Sequence, residues 1–211
     1  MKNDSHLSDL VAIRVLMERS TRFISLSGLS GVFAGIYALG GAYLVYSYLN
    51  EPGIKDFYRT LMYPLQIDGI FKNYTFFLII AAGVLFLSMT TGIFFTVRKA
   101  SRSDEKAWNP ASRRMLINLL IPLATGGVFC LQLLNLGLHG LVAPAMLIFY
   151  GLSLINGSKY TLEDIRYLGI SEIILGFISL FFPGYGLLCW AIGFGILHII
   201  YGTFMYLKYE S

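Results

Sequence analysis

The sequence predicts an all-α membrane protein: a bundle of six transmembrane helices, built from three tandem parallel two-helix repeats, with both termini cytoplasmic. Three observations carry that prediction. Six long apolar runs carry a single formally charged side chain clear of their ends, Glu172; Lys and Arg are distributed unevenly between the connecting segments and run ends; and the glycine spacing of the first pair of runs recurs in the last pair.

The composition sets the class. The 211 residues are 56% hydrophobic and 13% charged, with a mean hydropathy of +0.66, against about 25% charged in an ordinary soluble domain. The apolar runs cover residues 23–49, 74–97, 115–136, 140–156, 165–182 and 186–207. Each is near the roughly 20 residues that an α-helix needs to cross hydrocarbon. They form one domain, residues 23–207, and no separate soluble domain fits beside it. A tail, 208–211, follows.

Residues 1–22 mix acid and base and precede a long apolar run, so they read as a retained segment and not as a cleavable leader. Leu7, Leu10, Val11, Arg14, Val15 and Glu18 recur at helical spacing. That pattern suits an amphipathic helix on the inner surface, with a flexible polar tail as the alternative.

Basic residues in short loops resist translocation, which orients the bundle. With the N-terminus inside, the cytoplasmic side holds Lys2, Arg14, Arg19, Arg22, Arg98, Lys99, Arg102, Lys106, Arg113, Arg114, Lys159, Arg166 and Lys208, while the outside keeps Lys55, Arg59 and Lys72. The net charge of +4 is therefore a topology signal. Nucleic acid is not an expected partner, because the basic 98–114 loop also carries Asp104 and Glu105 and offers Trp108 alone for stacking. Membrane lipid is the expected partner.

Laying the first run over the fifth aligns Gly28, Gly31 and Gly35 with Gly169, Glu172 and Gly176, and Leu39 with Leu180. The second and sixth align Gly83 and Gly92 with Gly193 and Gly202, and Arg98 with Lys208. The third and fourth runs form a more diverged middle copy. Units of two spans all enter the membrane from the same side, so the copies are expected around an axis along the membrane normal, a pseudo-threefold arrangement. Lipid tails remove the hydrophobic drive between helices, and close packing at small residues replaces it. Ser27, Gly31, Gly35, Gly176, Gly193, Gly195 and Gly202 are the expected packing positions, within the bundle or between copies in a homo-oligomer.

The stretch from Gly169 through Glu172, Gly176, Pro183 and Gly184 to Gly193 and Gly202 resembles the short membrane repeat of the HdeD-like proteins. There, a glycine-bearing helix ends in a Pro turn and a second glycine-bearing helix follows. The resemblance covers about 40 residues well and the first hairpin in part. It implies a six-span protein of the bacterial inner membrane linked to acid stress, with no catalytic residues to carry over. This chain departs from the family by a long apolar outer loop, residues 50–73, which suits the membrane surface or a cap on the bundle.

Ionisable groups within a membrane are energetically expensive and usually pair or face a polar cavity. Glu172 and His198 stand about 17 and 18 Å from the turn at Pro183 to Gly186, at 1.5 Å rise per residue. Their matched depth makes them the candidate proton or ligand site, a carboxyl and an imidazole able to share one proton. Asn118, Gln132, Asn135, Thr90, Thr91, Tyr150, Ser153 and Asn156 are secondary polar candidates, expected to bond from helix to helix, and Pro122 and Pro144 are expected kink sites.

Cys130 and Cys189 sit within apolar runs and read as small buried hydrophobes. His6 and His139 lie too far from His198 to complete a metal site, and no nucleophile stands beside a base, so neither metal, cofactor nor catalytic residues are expected. The reading is a non-enzymatic multi-pass membrane protein connected to membrane or acid stress. Its alternative is a small proton-coupled transporter or channel that uses the Glu172–His198 pair.

Overall fold

The computed structural model describes residues 23–24, 26–50, 71–102, 107–182 and 184–210, main chain only over 71–75. The expected amphipathic segment 1–22, most of the 50–73 loop and Pro183 lie outside the described residues. The described residues are helical, with no strand among them. Among the described residues six helices follow in order: α1 Gly28–Leu49, α2 Phe71–Arg102, α3 Pro110–Asn135, α4 Val142–Ser158, α5 Ile165–Phe181 and α6 Gly186–Tyr209. A single 3₁₀ turn, His139–Leu141, leads into α4.

Five helical stretches, Gly28–Leu49, Phe76–Arg102, Pro110–Asn135, His139–Ser158 and Gly186–Tyr209, are long and apolar enough to cross a membrane. With 17 residues, α5 stands at the lower end of the length range for a span. These helices suggest an integral membrane protein. In hydrocarbon a main chain must satisfy its own N–H and C=O groups, which a helix does within each segment.

Local signals set the helix ends. Asn109 caps α3: its side chain accepts from the Ser112 amide at 2.8 Å and its own amide donates to Ser112 Oγ at 2.9 Å, with Pro110 in the first turn. Gly137, at φ 74°, turns the chain between α3 and α4. Pro122 lies inside α3 as expected. Pro144 is a correction: α4 begins at Val142, so Pro144 occupies the first turn, where a missing N–H breaks no intrahelical bond and no kink is required.

Two seams hold the centre together, α1 against α6 and α4 against α5, and glycine makes both. A Cβ on Gly35 would come within 2.6 Å of the Gly195 carbonyl and 2.7 Å of the Ile199 side chain. One on Gly202 would meet the Val32 amide at 2.6 Å and the Gly28 carbonyl at 2.7 Å. The α4–α5 seam reproduces this pattern residue for residue. Gly169 meets the Gly151 carbonyl and Ile155 amide as Gly28 meets those of Gly202 and Tyr206; Gly176 meets Pro144 and Ile148 as Gly35 meets Gly195 and Ile199. Gly151 faces Gly169 and Ile173 as Gly202 faces Gly28 and Val32.

The remaining packing positions divide. Gly31 approaches the Gly202 Cα, Gly195 receives the Leu39 side chain, and Gly193 faces Glu172 and Leu147. Ser27 instead precedes α1 and donates to Glu210 at 3.1 Å. The outer helices are less embraced: α2 packs on α1, where Gly41 receives Val84 and Ile80, and α3 packs on α4, where Gly126 receives Phe149.

Polar contacts tie the start of α1, the end of α2, the α4–α5 turn and the end of α6 at one face. The Phe23 amide donates to the Tyr160 carbonyl at 2.8 Å, and Thr161 Oγ1 donates to the Phe23 carbonyl at 2.5 Å. Glu210 accepts from the Gly28 amide at 2.6 Å, at the positive end of the α1 dipole, while Lys99 Nζ stands 3.4 Å away. Asp164 accepts from Lys208 at 2.8 Å and from Tyr209 at 2.7 Å. Burial acts to raise the pKa of Asp164, but the hydrogen bonds from Lys208 and Tyr209 and the Lys208 charge outweigh it and hold the acid below its ordinary 3.8.

Two outcomes are expected. Leu at Gly151 or Gly169 forces main chains apart and destabilises the fold by roughly 1–3 kcal/mol, whereas Leu at Gly83, where a Cβ meets nothing within 4 Å, is tolerated; thermal unfolding in detergent separates the two. Because folding depresses the Asp164 pKa, its contribution is full above the unfolded value and fades as pH falls through the folded one. Asp164→Asn therefore lowers the melting temperature at neutral pH, and the difference from wild type closes in strong acid.

Candidate functional site

The structure brings Glu172 and His198 together, and adds a third group. Glu172 on α5 is fully buried, with its Oε1 3.5 Å from Nδ1 of His198 on α6, itself 7% exposed. Tyr150 on α4 reaches across, its hydroxyl 2.7 Å from Nε2 of the same ring. Three helices thus contribute one side chain each: an acid, an imidazole and a phenol.

Local structure around His198 explains how one ring serves two neighbours. Residues Ala191–Leu197 form a π-helical stretch inside α6, a wide turn that is rare and frequent at functional sites. It places the Gly193 carbonyl 2.9 Å from His198 Nδ1. A carbonyl oxygen can only accept, so Nδ1 carries a hydrogen. In a neutral ring, Nε2 then accepts from Tyr150 O–H; in an imidazolium, Nε2 donates and the phenol must turn its hydrogen elsewhere. Proton uptake at His198 therefore reverses the Tyr150 hydrogen bond.

The acid is held differently. At 3.5 Å its contact with Nδ1 is too long for a good hydrogen bond, and neither carboxyl oxygen has a hydrogen-bond partner among the described residues. Gly193 makes room for it, since a Cβ there would collide with Glu172 Oε2 and reach the Leu147 side chain at 2.7 Å. Leu147 is itself fully buried. The acid is thus walled by an aliphatic side chain and a bare stretch of main chain. An aromatic ladder lies alongside: Trp190 and Phe194 have centroids 5.2 Å apart, Phe194 stacks on His198 at 5.9 Å, and Tyr150 stands 4.9 Å from Phe194.

Such a cluster can hold a variable number of protons. With acid ionised and imidazole neutral it carries one net negative charge. One proton, on either group, makes the cluster neutral overall.

The other polar candidates divide, and the helix-to-helix expectation is corrected for Thr90, Thr91 and Ser153 while Asn118 and Asn156 meet across helices. Thr90 and Thr91 donate to carbonyls of Phe86 and Leu87 in their own helix, Ser153 to Phe149, and Asn118 to Arg114. Asn156 does cross helices, donating to the Asn118 carbonyl at 2.8 Å. Both cysteines are free and buried. No group of three metal-ligating side chains occurs among the described residues. Sequence reasoning had Tyr150 among its polar candidates without its partner, and missed the π-helical stretch, for which the Gly193–Phe194–Gly195 spacing was the available signal.

Tyr150→Phe removes one interhelical hydrogen bond and is expected to destabilise by about 0.6 kcal/mol and at most about 1.7 kcal/mol. Glu172→Leu is expected to be well tolerated in unfolding measurements, because an apolar group there replaces an acid that has no hydrogen bond to lose. No family model matches the chain, and neither a curated protein nor a solved structure matches it.

Proposed function

We propose that this is a non-enzymatic, multi-pass protein of the bacterial inner membrane that responds to acidity, with Glu172, His198 and Tyr150 as its titrating centre. The observation that carries this reading is the placement of Glu172: fully buried, without a hydrogen-bond partner among the described residues, and 3.5 Å from an imidazole. A buried acid beside a base resists both extremes of charge, so its proton count couples to how α4, α5 and α6 pack. The resemblance of the fifth and sixth spans to HdeD-like proteins, with their link to acid stress, supports the same reading.

In this proposal both termini are cytoplasmic. The face where Phe23, Lys99, Tyr160, Asp164 and Glu210 meet is then the inner one, in keeping with the concentration of Lys and Arg there. The six helices are three tandem copies of one hairpin, and the matching α1–α6 and α4–α5 seams support that duplication. Proton transport through the same pair is the weaker reading, because Leu147 and the Gly193 main chain close around the carboxyl.

Trp190 provides the test, since Phe194 connects it to His198 and the chain has two tryptophans. In a Trp108→Phe background, Trp190 emission in vesicles is expected to titrate with a single apparent transition between about pH 4 and pH 9. Glu172→Gln and His198→Ala are each expected to abolish or displace that transition. An unchanged titration in both variants overturns the proposal.

A further inference from the structure

Among the described residues, the buried side-chain oxygens without a hydrogen-bond partner belong to Glu172 and Ser179, both on α5. Seven residues separate them, two turns and about 10.5 Å of helix, so they share one face. Ser179 is 3% exposed, and the Cys189 thiol beside it is a weak partner for a hydroxyl. Orphaned polar groups on one buried face are the kind that internal water satisfies.

Three helices frame that face in layers. Near the α5–α6 turn, a Cβ on Gly186 would stand 3.3 Å from the Ala143 Cβ and 3.8 Å from Ser179 Oγ. Deeper, Gly193 meets Glu172 and Leu147. Between the two layers α6 carries Cys189, so its wall from Gly186 through Cys189 to Gly193 holds nothing larger than a thiol. Gly186 is half-buried, and Gly184 and Tyr185 beside it are exposed. A line of small residues with a hydroxyl on it thus starts at the surface and stops at the carboxyl.

The opposite direction is apolar. Leu154 on α4 lies seven residues past Leu147, Leu168 on α5 four before Glu172, and Met205 on α6 seven past His198, which puts each on its helix's cluster face in the next layer. All three are buried. Ser153, buried on α4, already donates to the Phe149 carbonyl of its own helix.

We propose that Glu172 exchanges its proton with the side of the membrane where the α5–α6 turn lies, through about three hydrogen-bonded waters held between its carboxyl and Ser179, and that the Leu154, Leu168 and Met205 layer seals the other side. The inference deepens the titrating-centre reading and rests on it. The titratable groups that face Glu172 are His198 of α6 and Tyr150 of α4, with Cys189 of α6 farther along; α1, packed behind α6, brings Gly35 and Leu39. In the proposed topology the turn side is the outside, so the centre reports external acidity. A path with one end carries no net flux.

Stopped-flow pH steps on oriented vesicles test it. Vesicles of the Trp108→Phe protein are sorted on a C-terminal tag, so that the α5–α6 turn faces one known side. A step on the turn side is expected to change Trp190 emission promptly, and a step on the tag side, with the turn side buffered, to leave it unchanged. Ser179→Ala is expected to slow the turn-side response roughly tenfold, the factor that a barrier higher by about 1.4 kcal/mol gives. Ser171→Ala, whose hydroxyl bonds the Tyr167 carbonyl of its own helix, is expected to respond as wild type. A tag-side step that changes emission as readily overturns the inference while the titrating centre stands. So does a Ser179→Ala response as fast as wild type. Emission that ignores steps on both sides, or a response that persists in Glu172→Gln, refutes the titrating centre and the inference with it.

Discussion

Contact between bare main chains is the constraint on which this structure depends. In water, helices associate because apolar faces leave the solvent, but lipid offers those faces an equally apolar surround. What remains is packing at short range, and that range is set by what stands on the Cα atoms. At Gly28 and Gly202, and again at Gly151 and Gly169, the two helices approach so closely that each carbonyl occupies the space that a side chain would need. The helix axes are fixed there, and side chains elsewhere take their positions as a consequence.

The cluster of Glu172, His198 and Tyr150 is one such consequence. The α4–α5 seam at Gly169 and Gly176 sets the rotation of α5, and Glu172, on the same side of that helix, stands where α4 and α6 both reach it. Gly193 then supplies the room, and the π-helical stretch swings His198 so that its ring spans from the Gly193 carbonyl to Tyr150. A buried acid without a hydrogen bond is energetically expensive, and packing from three helices holds it in place. The polar ties at the Glu210 and Asp164 face reinforce the same geometry, because they connect the end of α6 to α1, α2 and the α4–α5 turn.

Much of this was legible in the sequence because the membrane simplifies the problem. Helix positions follow from apolar length, and depth follows from counting residues, so Glu172 and His198 could be matched before any contact was seen. Rotation about the helix axis is what counting leaves out. Tyr150 therefore stood as one polar residue among eight, and Thr90 and Thr91 were given partners across helices that their own carbonyls supply. Gly151 is absent from the expected packing positions because its surrounding sequence aligns poorly with the sixth run; its contact with Gly169 shows that it packs as Gly202 packs on Gly28. The contacts of Asp164 with Lys208 and of Glu210 with the Gly28 amide leave no mark in the sequence, since nothing in spacing connects residues that meet across the bundle. Pro144 was read as a kink because the apolar run began two residues before the helix does.

The claim at the centre of this account is that Glu172 exchanges a proton from inside the helix bundle and that His198 feels it. Difference infrared spectroscopy of the reconstituted protein observes a carboxylic acid carbonyl directly. The account predicts a pH-dependent band that disappears in Glu172→Gln and shifts in His198→Ala. A carboxyl band from Glu172 that stays constant between about pH 4 and pH 9, or one that ignores His198, contradicts it.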